Sequence, residues 1–414
     1  MRFSHALIWA GMLIAVARTT ILVRRRDVSD FGSVDGSATL GLVIVGFLGL
    51  MLVINPRTLR MLATFKQTSP GIFVTYMILA ATSMIWSLNP VFTAFRAAEV
   101  LIFFLTAFLL MSYHHDFRKA ERTMLRVLLV VTILSFLQRA INVGVSIQGL
   151  HTNVYTVTSG AGLVYCLGEL FRSDRARKRL LIRWALVFFV FLAIGTSVGS
   201  NIAVLGGILM LLILRGGGRW VVLPLTGLLI ALFGVAGELE NLLQNSILAG
   251  RDIEAAYKLT GRNTLWAGYF EAFMERPVIG HGFAVGARLG DMFGVRVTTN
   301  THNGLIEAAL GMGTIGFVFL SAYLIKLLKE LFFSWRLGVP GAVGMIGAMI
   351  MLIINNNSKS LIGGAFDATQ VGIFVMLAFA HYMNYLPARM YQRARLTRSR
   401  VTDYLEPIKY HRKS

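Results

Sequence analysis

Apolar runs separated by short polar breaks recur along nearly the whole chain. Each is roughly 16–22 residues long, about the length an α-helix needs to cross a bilayer, and each is bounded by Arg, Lys, Pro or Asn. The pattern predicts an all-α, polytopic membrane protein of about 12 transmembrane helices. Their expected positions are 5–22, 38–54, 71–88, 91–112, 124–142, 156–171, 180–198, 201–214, 221–237, 304–326, 341–355 and 362–384. One connection, 238–302, is long and mostly polar, and it predicts a large extracytoplasmic loop containing amphipathic helices. The chain then divides into helices 1–9 over 1–237, a lid loop over 238–302, helices 10–12 over 303–384 and a basic tail over 385–414.

Within the loop, Arg262–Glu275 places Leu265, Trp266, Tyr269, Phe270, Phe273 and Met274 at helical spacing. Thr260 or Gly261 is expected to cap that helix, and Arg276-Pro277 to stop it. Such a helix lies in the membrane interface or covers the spans below.

Composition agrees with this picture. Of 414 residues, 56% are hydrophobic and 14% charged, too apolar for a dispersed soluble protein. The single cysteine, Cys166, falls in an apolar run, so neither a disulfide framework nor a cysteine metal site is available. It reads as a small buried side chain. A net charge of +20 would suit nucleic acid, but its placement argues otherwise. Arg172, Arg175, Arg177, Lys178, Arg179 and Arg183 sit between two apolar runs, and Arg389 to Lys413 crowd the tail. Basic loops beside spans mark the cytoplasmic face and attract anionic membrane lipid. Loops bearing Arg57 to Lys66, Arg118 to Arg122, Arg215 to Arg219 and Lys326 to Arg336 join them on that side. Both termini are then cytoplasmic, and 238–302 faces outward. Arg24-Arg25-Arg26 breaks the alternation, offset in part by Asp27, Asp30 and Asp35. Leu7–Ala17 is similar to a signal-peptide core, but Arg18 and further spans follow, so it reads as a retained first span.

Candidate chemistry gathers where the polar loop meets the tenth span. Asn300 or Thr301 is expected to cap a helix beginning at Gly304, which places His302 in its first turn. The helix dipole and partial burial both disfavour a protonated imidazole there, as a general base requires. A capping histidine at a wet interface is the plainer alternative. Asn303 is placed to orient the ring or to bind a sugar hydroxyl, and Glu307, one turn on, needs a cationic partner. Small residues from Gly304 to Gly316 suit close helix packing. Arg96 lies about two turns into the fourth span, where an unpaired arginine costs roughly 2.5–3.5 kcal/mol. It therefore faces a polar cavity or pairs with Glu99. Arg262 at a helix N-terminus, with Arg139 and Arg276, completes a set suited to phosphate or pyrophosphate. His281, between Gly280 and Gly282, and His151 with Asn153 are further polar candidates. No metal-ligand spacing, phosphate-binding glycine loop or nucleophile elbow is present.

Three motifs together resemble the O-antigen ligase/polymerase family of bacterial membrane glycosyltransferases. His302-Asn303, nine residues, then Gly313-Thr314-Ile315-Gly316 is similar to the ligase signature. Thr260 to Trp266 with Arg276-Pro277-Val278-Ile279-Gly280-His281-Gly282 resembles the family's loop, and Gly149-Leu150-His151-Thr152-Asn153 its mid-chain segment. One departure is visible: many relatives open the eighth span with a Ser-Arg pair, whereas here Thr196 to Asn201 holds no arginine. The resemblance implies glycosyl transfer without a metal or cofactor at the outer leaflet of the bacterial inner membrane. The donor is a saccharide on undecaprenyl pyrophosphate, the acceptor a saccharide hydroxyl, and His302 the base. Arginines such as Arg96, Arg262, Arg276 and Arg139 hold the leaving pyrophosphate. Proteins of polysaccharide assembly and export are further expected partners; nucleic acid is not. A polymerase of exopolysaccharide or O-antigen is the favoured member, with a ligase to lipid A-core as its alternative. A lipid-linked sugar transporter is the second class, for which Glu99, Glu169, Glu307 and Asp367 are the only coupling carboxylates, and a non-catalytic assembly partner is the third.

Overall fold

Asparagine, proline and glycine at the ends of apolar segments set most of the helix boundaries. The computed structural model describes residues 2–21, 36–143, 153–170, 172–195, 197–215, 262–286, 288 and 301–384. Among them every regular element is helical. In chain order these are α1 (Arg2–Ile21), α2 (Gly36–Ile54), α3 (Pro56–Ala63), α4 (Ser69–Thr82), α5 (Pro90–Ser112), α6 (Phe117–Val143) and α7 (Asn153–Leu170). They continue as α8 (Arg175–Gly195), α9 (Val198–Leu214), α10 (Arg262–Glu275), α11 (Gly304–Arg336), α12 (Ala342–Asn355) and α13 (368–384). The expected span at 221–237, loop residues 238–261, Arg24 to Arg26, His151 and the tail from 385 lie outside the described residues.

Among the described residues three helices are long and apolar enough to cross a membrane: Pro90–Ser112, Phe117–Ile141 and Gly304–Arg336. A fourth candidate is α2 with α3, bent by 81°. Asn55 makes that bend: its side chain accepts Arg57 N–H at 3.0 Å, and Pro56 opens the new helix. The last expected span starts late. Instead of beginning at 362, helix resumes at 368, because Gly363 adopts φ +105° and Asn356 Oδ1 captures the N–H groups of Leu361 and Ile362.

Polar groups gather in two layers. The first joins the turn after α4, the starts of α7, α9 and α11, the 276–286 segment and the α12–α13 connection. Its ties include Trp86 Nε1 to Ile279 O at 3.0 Å, Asn355 Nδ2 to Ser200 Oγ at 3.1 Å and Asn303 Nδ2 to Asn357 Oδ1 at 2.9 Å. The second layer joins the other loops. Arg177 grips Glu121 at 2.5 Å and Glu169 at 2.9 Å, and Glu169 also accepts Gly341 and Gly344 N–H at the start of α12. Helix α7 runs from Asn153 in the first layer to Glu169 in the second, about 24 Å at 1.5 Å per residue. That approaches the ~30 Å hydrocarbon thickness of a bilayer. Between the layers, Val43, Leu186, Phe189, Leu205 and Val318 are exposed, as lipid-facing side chains should be. The chain is a membrane protein. Its described loops fall into two sets, one at each end of α7.

Glycines set the helix spacing in the bundle. A Cβ on Gly168 would lie 2.5 Å from Gly344 Cα, and one on Gly207 2.9 Å from Gly347 O. Helices α7, α9 and α12 therefore meet backbone to backbone. Beside them Phe73, Phe104, Tyr323 and Phe374 interlock α4, α5, α11 and α13. Cys166 is free and buried, as its apolar setting predicts.

Candidate active site

Helix α11 begins with a turn that its sequence over-determines. The cap is Asn303, later than Asn300 or Thr301: its Oδ1 accepts Leu305 N–H at 2.9 Å and Ile306 N–H at 3.2 Å. His302 consequently stands one residue outside the helix rather than in its first turn. It takes φ +59°, a left-handed conformation that non-glycine residues enter at a cost of roughly 1–2 kcal/mol. Neighbours hold it there. Thr301 Oγ1 donates across it to Asn303 O at 2.6 Å, Thr301 N–H donates to Glu307 Oε2 at 2.7 Å, and Trp266 Nε1 reaches Thr301 O at 3.0 Å. Behind the turn, Gly304 N–H bonds Asn356 O at 3.1 Å, and a Cβ there would lie 2.0 Å from Ile362 O. His302 itself is half-buried, whereas Thr301 and Asn303 are buried. Strain concentrated at one polar side chain is a common mark of a functional position.

Farther along, α11 is broken. Met312 and Gly313 leave helical geometry, with Gly313 at φ +64° and ψ −159°. The break frees backbone groups that the 277–282 segment occupies. His281 N–H donates to Leu310 O at 2.9 Å and Gly282 N–H to Gly311 O at 2.8 Å. In return Thr314 N–H reaches Pro277 O at 2.7 Å, and Thr314 Oγ1 the same oxygen at 2.8 Å. The two glycine motifs noted in the sequence thus clamp each other. The clamp fixes the loop above the helix whose mouth carries His302.

A cationic group flanks this assembly. Glu99 is fully buried and takes Arg96 at 2.6 Å and Arg18 at 3.3 Å, so two guanidinium groups share one carboxylate. The Nε atoms of both arginines are buried and lack a partner. Arg96 also lies 5.1 Å from the Phe92 ring, and Arg288 lies 5.0 Å from the same ring. Arg288 is in turn within electrostatic reach of Glu307. A chain of contacts runs from Arg18 through Glu99, Arg96 and Phe92 to Arg288, and an electrostatic interaction joins Arg288 to Glu307 and so to the turn of His302. Its arginines outnumber its carboxylates by three to two.

Residues 183–321, about a third of the chain, match the family model described as O-antigen ligase. That segment is similar to the O-antigen ligase family. The match runs from the middle of α8 across the loop and through the clamp, so it contains His302, Gly313 and Gly316. No curated protein matches the chain.

Outside the turn, the other candidates fall at varied distances from it. In the matched segment His281 is buried at 3% exposure and donates through Nε2 to Ala272 O at 2.8 Å, bracing α10. Arg276 is exposed and reaches Trp86 O at 3.4 Å. Arg262 opens α10, its side chain lying outside the described residues. Asn153 joins the first layer, accepting from Ser197 Oγ and donating to Ser358 O at 3.4 Å. Arg139 sits half-buried near the end of α6, within electrostatic reach of Tyr155. Sequence reasoning missed Arg18, Arg288 and the run Asn355 to Ser360. The signal for the last was present: six consecutive polar residues interrupt an apolar stretch.

Proposed function

We propose that the chain is a twelve-span glycosyltransferase of the bacterial inner membrane, with the His302 layer facing outward. It moves a saccharide from undecaprenyl pyrophosphate to an acceptor hydroxyl. The observation that carries this reading is a strained histidine turn, on the segment similar to the ligase family, beside a cluster of three arginines and two carboxylates. His302 removes the proton from the acceptor hydroxyl, whose oxygen attacks the anomeric carbon. The bond from that carbon to the pyrophosphate oxygen breaks, and the arginines offset the charge that grows on the leaving group. Arg18, Arg96 and Arg288 are the cations nearest this role, with Arg262 at the start of the lid helix. A leaving group held this way needs no metal.

The test is transfer by purified protein in detergent from a defined pyrophosphate-linked oligosaccharide. Product formation unaffected by chelator is the expected result; absence of any transfer, or its loss on chelation, would overturn the proposal. Polymerase is the member we favour over ligase, on the mid-chain Asn153 segment and the loop motif. A deletion strain with single repeats still attached to the acceptor identifies a polymerase; normal-length chains left on the carrier identify a ligase. The transporter reading loses ground because Glu99, Glu169 and Asp367 are each within 3.3 Å of an arginine or lysine nitrogen.

Glu307 acts through the turn rather than on substrate. Glu307→Ala removes the acceptor of the buried Thr301 N–H, an interaction worth about 1–3 kcal/mol. Transfer should fall about tenfold, and Glu307→Gln, which keeps an acceptor oxygen, should recover most of it. Equal loss in both variants would show that the charge, not the hydrogen bond, matters.

A further inference from the structure

The second polar layer contains a cavity of about 340 Å³ between the first turns of α6 and α8. Arg118, Arg122, Arg177, Arg179 and Arg183 line it, with Glu121 as the acidic side chain of the lining. These arginines differ in what they already do. Arg177 is held by Glu121 and Glu169, both almost fully buried, and forms a fixed floor. Arg118 meets Asp174, but both side chains are 54% exposed, where an ion pair adds little. Arg122, Arg179 and Arg183 have no acidic partner among the described residues.

Spacing sets these exposed side chains side by side on each helix. Arg118 and Arg122 are four residues apart on α6, and Arg179 and Arg183 four apart on α8, so each pair stacks on one helix face. Like charges at that spacing repel and weaken a helix. On a merely solvated surface they would spread apart, yet here both pairs border one concave space. Guanidinium groups converging from two sides suit phosphate oxygens, which they bind in a bidentate manner.

The surroundings indicate the source of that phosphate. The cavity lies about 24 Å along α7 from the His302 layer, at the level where lipid head groups meet the hydrocarbon core. From Ile182 onward the exposed face of α8 turns apolar, with Ile182, Leu186, Phe189 and Val190 at 40%, 60%, 55% and 53% exposure. A soluble phosphate compound would have no use for that stripe; acyl chains would cover it. We propose that this cavity binds the phosphate-bearing head group of an anionic membrane lipid with two or more negative charges, its chains lying along α8. Basic pockets between helices on a cytoplasmic face are suited to such head groups.

The experiment compares wild type with an R122Q/R179Q/R183Q variant in nanodiscs of phosphatidylcholine with or without cardiolipin. Wild type should retain cardiolipin through detergent exchange and melt several degrees higher in its presence, as binding to the native state requires. The variant should melt like wild type in phosphatidylcholine alone and lose cardiolipin affinity on the order of a hundredfold. A K329Q/R336Q variant, altered in the same layer away from the cavity, should bind as wild type does. If both variants lose binding equally, the attraction is general surface charge and the site is wrong. Should inorganic pyrophosphate stabilise wild type as well as cardiolipin does, the lipid assignment fails. If the triple variant does not fold, Arg179→Gln and Arg183→Gln singly must each weaken cardiolipin binding; unchanged binding in both overturns the proposal.

Discussion

Exchange of His302 for asparagine is expected to lower the rate of saccharide transfer by about 10²–10⁴-fold, the usual contribution of a positioned general base. Asparagine is the informative replacement because the position demands φ +59°, and asparagine enters the left-handed region more readily than most residues. Alanine would combine loss of the base with strain in the turn. In the asparagine variant the Thr301 bridge, the Asn303 cap and the Glu307 contact should survive, so the melting temperature should stay near that of wild type. The defect should fall on kcat, with KM for the lipid-linked donor little changed, because the proposed mechanism assigns the pyrophosphate to the arginines and not to the imidazole. Donor retention by the inactive variant is a direct check. Full-length polysaccharide made by a strain carrying only the asparagine variant would remove His302 from the chemistry. It would leave the turn as a structural cap.

Much of this arrangement is legible in the sequence, because hydropathy and capping act locally. The α10 helix occupies the residues its periodicity predicts, Arg262–Glu275. The loops group into two layers because a helix long enough to cross a bilayer must deliver its ends to opposite faces. His302 stands out in one dimension since a polar loop abruptly becomes apolar there. What escapes is whatever depends on a distant partner. Arg18 looks like a span-flanking residue until Glu99, eighty-one positions away, is brought beside it. Arg288 carries no local pattern at all; Phe92 and Glu307 give it meaning. The cap moved to Asn303 because side-chain geometry chose among neighbouring polar residues, a choice no propensity scale makes. The break in α11 is hidden for another reason. Apolar periodicity continues through Met312 and Gly313, and a glycine inside such a run reads as a packing residue unless the strand of chain that fills the gap is known.

That break yields the second large effect. Gly313→Ala should open the clamp between α11 and the 277–282 segment. The backbone there, at φ +64° and ψ −159°, belongs to a region almost reserved for glycine, with strain of about 1–3 kcal/mol for other residues. A methyl group would also sit 2.2 Å from Val278 C and O, and overpacking of this kind adds about 1–3 kcal/mol. Neither neighbour can yield cheaply, because both are main-chain atoms of the clamp, where Ile315 N–H donates to Val278 O at 3.4 Å and Thr314 holds the adjoining Pro277 O. Expected results are a clearly lower melting temperature, new protease cleavage within 276–286, and transfer reduced by at least tenfold as the loop lifts from the mouth of α11. Gly338→Ala separates the two causes: Gly338 has φ +71° but nothing within 4 Å of the added carbon. It should show the modest cost of backbone strain alone and keep its transfer rate. If Gly313→Ala melts, resists protease and transfers like Gly338→Ala, the collision is relieved without opening the clamp, and the second glycine motif has no part in holding the site together.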